Sequence, residues 1–276
     1  MHKLNTAPLR MARQIPARVE LAVVTNTQVT LVQIDNYGPW TVTPEPRREV
    51  DLQTLQSRLY ADLSQLFGNR EGYVFFTRFD NMVAVTNGLD EAAHALIQES
   101  VDNRYPVSVS LSIAVDPSPA EALGVATDRL QDAGSAQASG RTEVLAGTPL
   151  ADAERTDSDV QIAHFDVNDA TGTYTDRLNE FDSFIAIEQG YAELMRYMRR
   201  AHDSLSFFVG GDNIIAVCSA VDRQGYADAI AHVDEAVGVD LKAGVGRAGT
   251  AGTAGMMAKH ALETCREENA DVTFAE

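Results

Sequence analysis

Val74-Phe75-Phe76-Thr77-Arg78-Phe79-Asp80-Asn81-Met82-Val83-Ala84-Val85 returns later in the chain as Ser206-Phe207-Phe208-Val209-Gly210-Gly211-Asp212-Asn213-Ile214-Ile215-Ala216-Val217. Each copy is two strand-sized apolar runs around a polar turn, the pattern of a β-hairpin. Working outward, the apolar run Thr30 to Ile34 ends in Asp35, and the run Val160 to Phe165 ends in Asp166. Asp35 to Asp166 spans 131 positions and Asp80 to Asp212 spans 132. A third match, Pro106 to Leu111 against Val239 to Gly244, keeps that spacing to within a residue or two. Three landmarks in register identify a tandem duplication.

Each copy has the same order of elements. After the first strand, Leu52, Leu55, Leu59, Leu63 and Leu66 fall at helical spacing, as do Phe184, Ile187, Tyr191, Leu194, Met195 and Met198 in the second copy. The hairpin follows, then helices over Asp90 to Asn103 and Gly225 to Val237, then strands over Val107 to Val115 and Val239 to Val245. A last helix closes each copy, over Ala120 to Ala133 and Thr253 to Asn269. The order β-α-β-β-α-β predicts an α+β fold of two tandem ferredoxin-like domains, residues 27–152 and 153–276. The join falls near Asp152 to Asp159, and residues 1–26 form an extension outside the repeat, with an upstream start codon as one explanation.

Composition narrows the class of function. The 276 residues include 40 acidic and 22 basic side chains, a formal charge of −18, and only three of the basic residues are lysines. Such acidity opposes binding along a nucleic-acid backbone or an anionic membrane. It suits a cytoplasm rich in screening salt. No apolar run reaches the roughly 20 residues that span a bilayer, and the N-terminus has no secretory h-region. A cytoplasmic protein is expected. The two cysteines, Cys218 and Cys265, cannot build a zinc site, and Cys218 reads as a core residue.

Chemistry concentrates at the strand ends. The topology brings Asp35 to Asp80 and Asp166 to Asp212, and paired carboxylates suit a hard, oxygen-seeking cation such as Mg²⁺. Taken singly, each aspartate also reads as an ordinary turn or cap residue; recurrence in both copies favours metal binding. Backbone amides in Asn36-Tyr37-Gly38 and in Asn168-Asp169-Ala170-Thr171-Gly172 can hold phosphate oxygens. With Arg78, Gly211 and Asn213 they make up the expected nucleotide contacts. His164, two residues before Asp166 on the same strand face, is a candidate acid or base, or a structural histidine. Asp169 is a second candidate base. Lys242 reads as a phosphate contact or as a lysine snorkelling at a sheet edge. Arg47, Arg48 and Arg104 meet phosphates or pair with acids, and Tyr37 and Trp40 stack on a purine or pack the sheet.

These stretches, together with Pro46-Arg47-Arg48-Glu49, Leu55 to Asp62, Asn103-Arg104-Tyr105-Pro106 and Gly134-Ser135-Ala136-Gln137, resemble the archaeal GTP cyclohydrolase III family, also called type IIa. The resemblance runs from about Thr27 to the end. It implies domains like the palm of nucleotidyl cyclases, dependence on Mg²⁺ with a monovalent activator such as K⁺, no zinc, and a homo-oligomer. It further implies hydrolytic opening of the guanine imidazole ring with the formyl group retained, and cleavage of the triphosphate. The product is then 2-amino-5-formylamino-6-ribosylamino-4(3H)-pyrimidinone 5′-phosphate, early in flavin and deazaflavin synthesis. Arg247 departs from the family pattern, where an apolar residue is expected, and leaves the role of the loop Gly244 to Ala248 open. A nucleotidyl or dinucleotide cyclase and a non-catalytic nucleotide sensor are the rival readings on the same fold.

Overall fold

The computed structural model describes residues 26–150 and 158–275. The first half runs β1 (Thr27–Ile34), α1 (Tyr37–Val42), α2 (Glu49–Gly68), β2 (Tyr73–Phe76), β3 (Asn81–Val85), α3 (Glu91–Asp102), β4 (Val109–Asp116), α4 (Pro119–Asp132) and β5 (Leu145–Ala146). The second runs β6 (Val160–Val167), a π-helical turn (Thr171–Thr175), α5 (Glu180–His202), β7 (Leu205–Gly210), β8 (Asn213–Cys218), α6 (Arg223–Val237), β9 (Leu241–Ala248), α7 (Ala251–Glu268) and β10 (Val272–Phe274).

The sheets have orders β2-β3-β1-β4-β5 and β10-β9-β6-β8-β7, one sequence of strands read from opposite edges. Four strands of each are the ferredoxin-like set, and the fifth lies parallel to β4 or β9. This added strand follows the last helix of each half and is a feature the sequence pattern did not announce. Arg247 sits inside β9, opposite Gln161, so the segment left open above is strand and not loop. The extension before Asn26 and most of the expected join, residues 151–157, lie outside the described residues.

The central strands are apolar on both faces because both faces are covered. Val32 and Ile34 of β1 pack with Leu59, Leu63 and Phe67 of α2 and with Ile97 of α3. Phe165 and Val167 of β6 pack likewise under α5 and α6, with Leu194 and Tyr226. Val29 and Leu31 turn the other way, into a core shared by the halves: Ala122 and Ala126 of α4, Ile162 and Ile215 of the second sheet, Ala254 and Ala258 of α7. At its centre the repeat-equivalent rings Phe75 and Phe207 stack on each other, centroids 4.3 Å apart and planes 6° apart. The backbone repeats the symmetry: Gly252 N–H donates to the Glu71 carbonyl at 2.9 Å and Ala120 N–H to the Asp203 carbonyl at 3.2 Å. The halves are therefore related by a pseudo-two-fold axis through the Phe75–Phe207 stack.

The appended helices pack closely on their sheets. A Cβ added at Gly244 of β9 would lie 2.7 Å from Leu262 Cα of α7, and one at Gly246 would lie 2.6 Å from Ala258 N. Backbone cannot give way as a side chain does, so these glycines set how near α7 lies.

Candidate functional site

In the second half the site grows from the inward face of β6, where His164 and Asp166 share a side. Asp166 lies opposite Asn213 of β8 and Lys242 of β9. Its side chain is only 9% exposed, and Arg266 of α7 reaches it at 2.7 Å while also pairing with Glu263 at 2.7 Å. The hydrogen bond that Arg266 donates to Asp166 raises the Arg266 pKa above its ordinary value. Asp212 stands in the β7–β8 turn, which Gly210 and Gly211 allow by adopting φ of 112° and 64°. Burial raises the Asp212 pKa, and the negative charge of Asp166 raises it further. The two carboxylates thus sense one another, and Arg266 is the cation that offsets them.

Asn213 orders the neighbouring histidine. Its amide nitrogen faces the Asp212 carboxylate at 3.1 Å, so its oxygen faces His164 Nε2 at 2.8 Å. An acceptor there assigns the hydrogen to Nε2 and the lone pair to Nδ1. Burial lowers the His164 pKa, the largest of its influences, and holds the ring neutral near pH 7. A hollow of about 350 Å³ opens over His164, Asn213, Lys259 and Arg266. It adjoins a cleft of about 540 Å³ that shares His164 and Lys259 and reaches Tyr60, Ser64 and Tyr73 of the first half.

The other expected residues of this half have other attachments. Lys242 is buried and donates from Nζ to Asn269 Oδ1 at 3.3 Å and to the Ala270 carbonyl at 3.2 Å, at the C-terminal end of α7. Asp169, at φ 49°, accepts from the Gly172 N–H at 3.2 Å. One of the amides expected to face phosphate is thereby engaged, and the Asp169 carboxylate shapes its own turn. Asn168 donates from its side chain to Asp240 at 2.7 Å. Thr171 opens the π-helical turn.

The first half solves the same problem differently. Asp35 is 4% exposed. It accepts from Ser110 Oγ at 2.6 Å, Ser108 Oγ at 3.0 Å and the Glu143 N–H at 2.9 Å, and it faces the buried Arg141 guanidinium at 3.6 Å. Asp80 is at the same end of the sheet, where its carbonyl accepts from Ile34 N–H at 3.0 Å. Arg78 pairs with Asp80 at 3.5 Å. Asp80 Oδ1 and Asn36 Oδ1 are both buried without a hydrogen-bond partner. Asn36 takes φ 49°, and the chain then turns through Tyr37, whose hydroxyl accepts from Gln56 at 2.9 Å. Burial raises the Tyr37 pKa. The Gln137 side-chain amide lies over Gly38, where a Cβ would displace it. Arg47 stacks over Trp40 at 3.9 Å. Arg141 was invisible in the sequence, and Gln137 stood there only within the stretch Gly134 to Gln137 with no role attached: both sit in the α4–β5 loop, between Asp132 and Leu145.

Whether this donor set fits a cation follows from its chemistry. In the second half two mutually repelling carboxylates meet; in the first, two buried oxygens lack donors. All are oxygen ligands, as a hard cation such as Mg²⁺ requires. Among the described residues no group of three or more His, Cys, Asp or Glu side chains is arranged for a metal. Oxygen from backbone, water and substrate phosphate would therefore complete the shell, as is usual for Mg²⁺. No helix among the described residues is long and apolar enough to cross a membrane.

The chain matches the family described as GTP cyclohydrolase III over residues 29–275. GTP cyclohydrolase III of Natronomonas pharaonis is 81% identical over 252 residues, which cover 91% of this chain and 100% of that protein. GTP cyclohydrolase III 1 of Halobacterium salinarum is 69% identical over 246 residues, 89% of this chain and 96% of that one. GTP cyclohydrolase III of Methanocaldococcus jannaschii is 46% identical over 244 residues, 88% and 90% of the two chains.

Proposed function

The chain belongs to the GTP cyclohydrolase III family and is a GTP cyclohydrolase, and from that premise we propose a magnesium-dependent enzyme that opens the guanine imidazole ring by hydrolysis, keeps the formyl group and cleaves the triphosphate. The products are 2-amino-5-formylamino-6-ribosylamino-4(3H)-pyrimidinone 5′-phosphate and inorganic phosphate. The observation that carries this reading is the Asp166–Asp212 pair: its charge is partly offset by Arg266, and His164, two residues from Asp166 on the same strand, lines a cleft of about 540 Å³.

Asp166 and Asp212 would hold the cation in the second half, and Asp80 with Asn36 and Asp35 in the first. When bound, Mg²⁺ supplies positive charge to the phosphates and stabilises the leaving oxygen. The protein's own groups do the rest. Arg266 pairs with Asp166 and offsets part of the charge of the acid pair. His164, fixed by Asn213, presents Nδ1 as a base able to take a proton from the water that attacks the ring. Asp169 is the weaker candidate because its carboxylate closes its own turn. K⁺ as an activator and a homo-oligomer belong to the same proposal.

A GTP incubation followed by chromatography, with and without chelator, tests it. The expected result is loss of the purine absorbance together with phosphate release, both abolished by chelator. An intact purine in a cyclised nucleotide would make the protein a cyclase, and GTP binding without phosphate release would make it a sensor. Asp35→Asn and Asp212→Asn, assayed separately, assign the catalytic half: the variant that keeps full turnover marks the silent pair.

A further inference from the structure

The loop that joins α4 to β5, residues 133–144, has no equal in the second half, where residues 269–271 alone join α7 to β10. The fold therefore does not need its length. The loop lies across the end of β1 and the turn that follows. Asn36 N–H donates to the Ala136 carbonyl at 2.8 Å, the Gln137 side-chain amide lies over Gly38, and Glu143 N–H donates to Asp35 at 2.9 Å. Asn36 to Gly38 is the turn whose amides suit phosphate oxygens, and the loop occupies it.

Within this loop Arg141 turns inward. Its side chain is 3% exposed, and Nε, Nη1 and Nη2 all lack a hydrogen-bond partner. Its ion pair among the described residues is with Asp35 at 3.6 Å, too long for a hydrogen bond. Asp35 already accepts three hydrogen bonds, from Ser108, Ser110 and Glu143. A guanidinium buried only as a counter-ion would pair through its fork, because buried donors left unmade are costly. At the same end of the sheet the shortage is of the opposite kind: Asp80 Oδ1 and Asn36 Oδ1 are buried acceptors without donors. One part of the site lacks oxygens and another lacks positive charge. A polyphosphate carrying a divalent cation supplies both.

We propose that Arg141 is a phosphate ligand of the first-half site, and that the loop 133–144 releases Asn36 and Gly38 to let a metal-bound nucleoside triphosphate reach it. The identity of the ligand rests on the reading of this chain as a magnesium-dependent enzyme acting on GTP; the unpaired guanidinium and the occupied turn rest on the residues alone.

Guanosine 5′-(β,γ-imido)triphosphate and GMP, each titrated calorimetrically with Mg²⁺, test the assignment. All samples carry Asp212→Asn, which disables the second-half acid pair, and circular dichroism checks the fold at the assay salt. This chain is expected to favour the triphosphate over GMP. Arg141→Gln should cut that preference about tenfold or more, the worth of one charge-assisted hydrogen bond. Arg141→Lys, which keeps the counter-ion of Asp35 but not the fork, should cut it about threefold. A loop merely loosened by substitution would weaken both nucleotides alike and leave their ratio as it was. A ratio unchanged in Arg141→Gln, or in Arg141→Lys should the glutamine variant not fold, would overturn the proposal. Failure of the Asp212→Asn chain to bind the triphosphate would overturn it too. Turnover of GTP by the wild-type chain, measured in parallel, separates the two readings: intact GTP alongside a lowered ratio would refute the proposed activity and keep Arg141 as a phosphate ligand.

Discussion

Replacing Arg266 by glutamine removes the cation nearest to Asp166 and leaves the carboxylate in place. Arg266 is 42% exposed and Asp166 9%, so the pair lies between a surface bridge, worth at most about 1 kcal/mol, and a fully buried one, whose breakage costs about 3–5 kcal/mol. A loss of about 2 kcal/mol is expected, which lowers Tm by roughly 4–8 °C in a chain of this size. The loss should depend on pH. Asp212 holds its proton more tightly in the folded protein than in the unfolded one, so its contribution to stability is present in acid and is lost as pH rises through its raised folded value. Without the Arg266 charge that rise is larger, so the cost of the substitution grows with pH through the carboxylate range and shrinks again below it. Mg²⁺ no longer has to displace a guanidinium, so the ion should raise Tm by more in Arg266→Gln than in the wild-type chain. Thermal unfolding across pH, in EDTA and in an Mg²⁺ series, measures all three effects. Adding Asp212→Asn should recover part of the loss. A cost that is flat with pH, indifferent to Mg²⁺ and additive with Asp212→Asn would show that Arg266 merely packs against the sheet.

Arg141→Met should cost about 3–5 kcal/mol, because Asp35 would remain buried without its counter-ion; denaturant unfolding should show Asp35→Asn restoring part of it. Gly244→Ala drives a methyl into the α7 backbone and should cost about 3 kcal/mol, or prevent folding of the second half, read from urea midpoints. Phe75→Ala should cost about 3–5 kcal/mol and separate one unfolding transition into two, since the stack joins both halves. With a formal charge of −18, stability should fall as salt is withdrawn, and a Tm unchanged in dilute buffer would contradict salt adaptation.

The duplication was legible because sequence similarity survives in the segments that carry chemistry. The spacings of 131 and 132 residues between paired aspartates reappear as superposable strand orders. Helix bounds were also close, for Asp90 and Asp222 cap α3 and α6 with their own side chains. The fifth strands escaped because Leu145–Ala146 and Val272–Phe274 are too short to show a period of two. The counter-ions escaped for a related reason. Arg141 reaches Asp35 through a loop positioned by one of those strands, and Arg266 comes from a helix whose spacing says nothing about which acid it will meet. Lys242 stood out as a rare lysine, yet its attachment to Asn269 and Ala270 depends on where α7 ends.

The stack of Phe75 on Phe207 has a consequence for how such a protein changes over time. In an assembly of two identical subunits, every substitution is made twice, so one pocket cannot be altered while its mate is kept. Here the two contributors are encoded separately. A change at Arg200 leaves its counterpart position in the first half untouched, and a change at His164 leaves Gln33 untouched. Covalent fusion turns a symmetric interface into two independently editable surfaces, so one molecule can carry chemistry on one side and acquire a different specificity on the other.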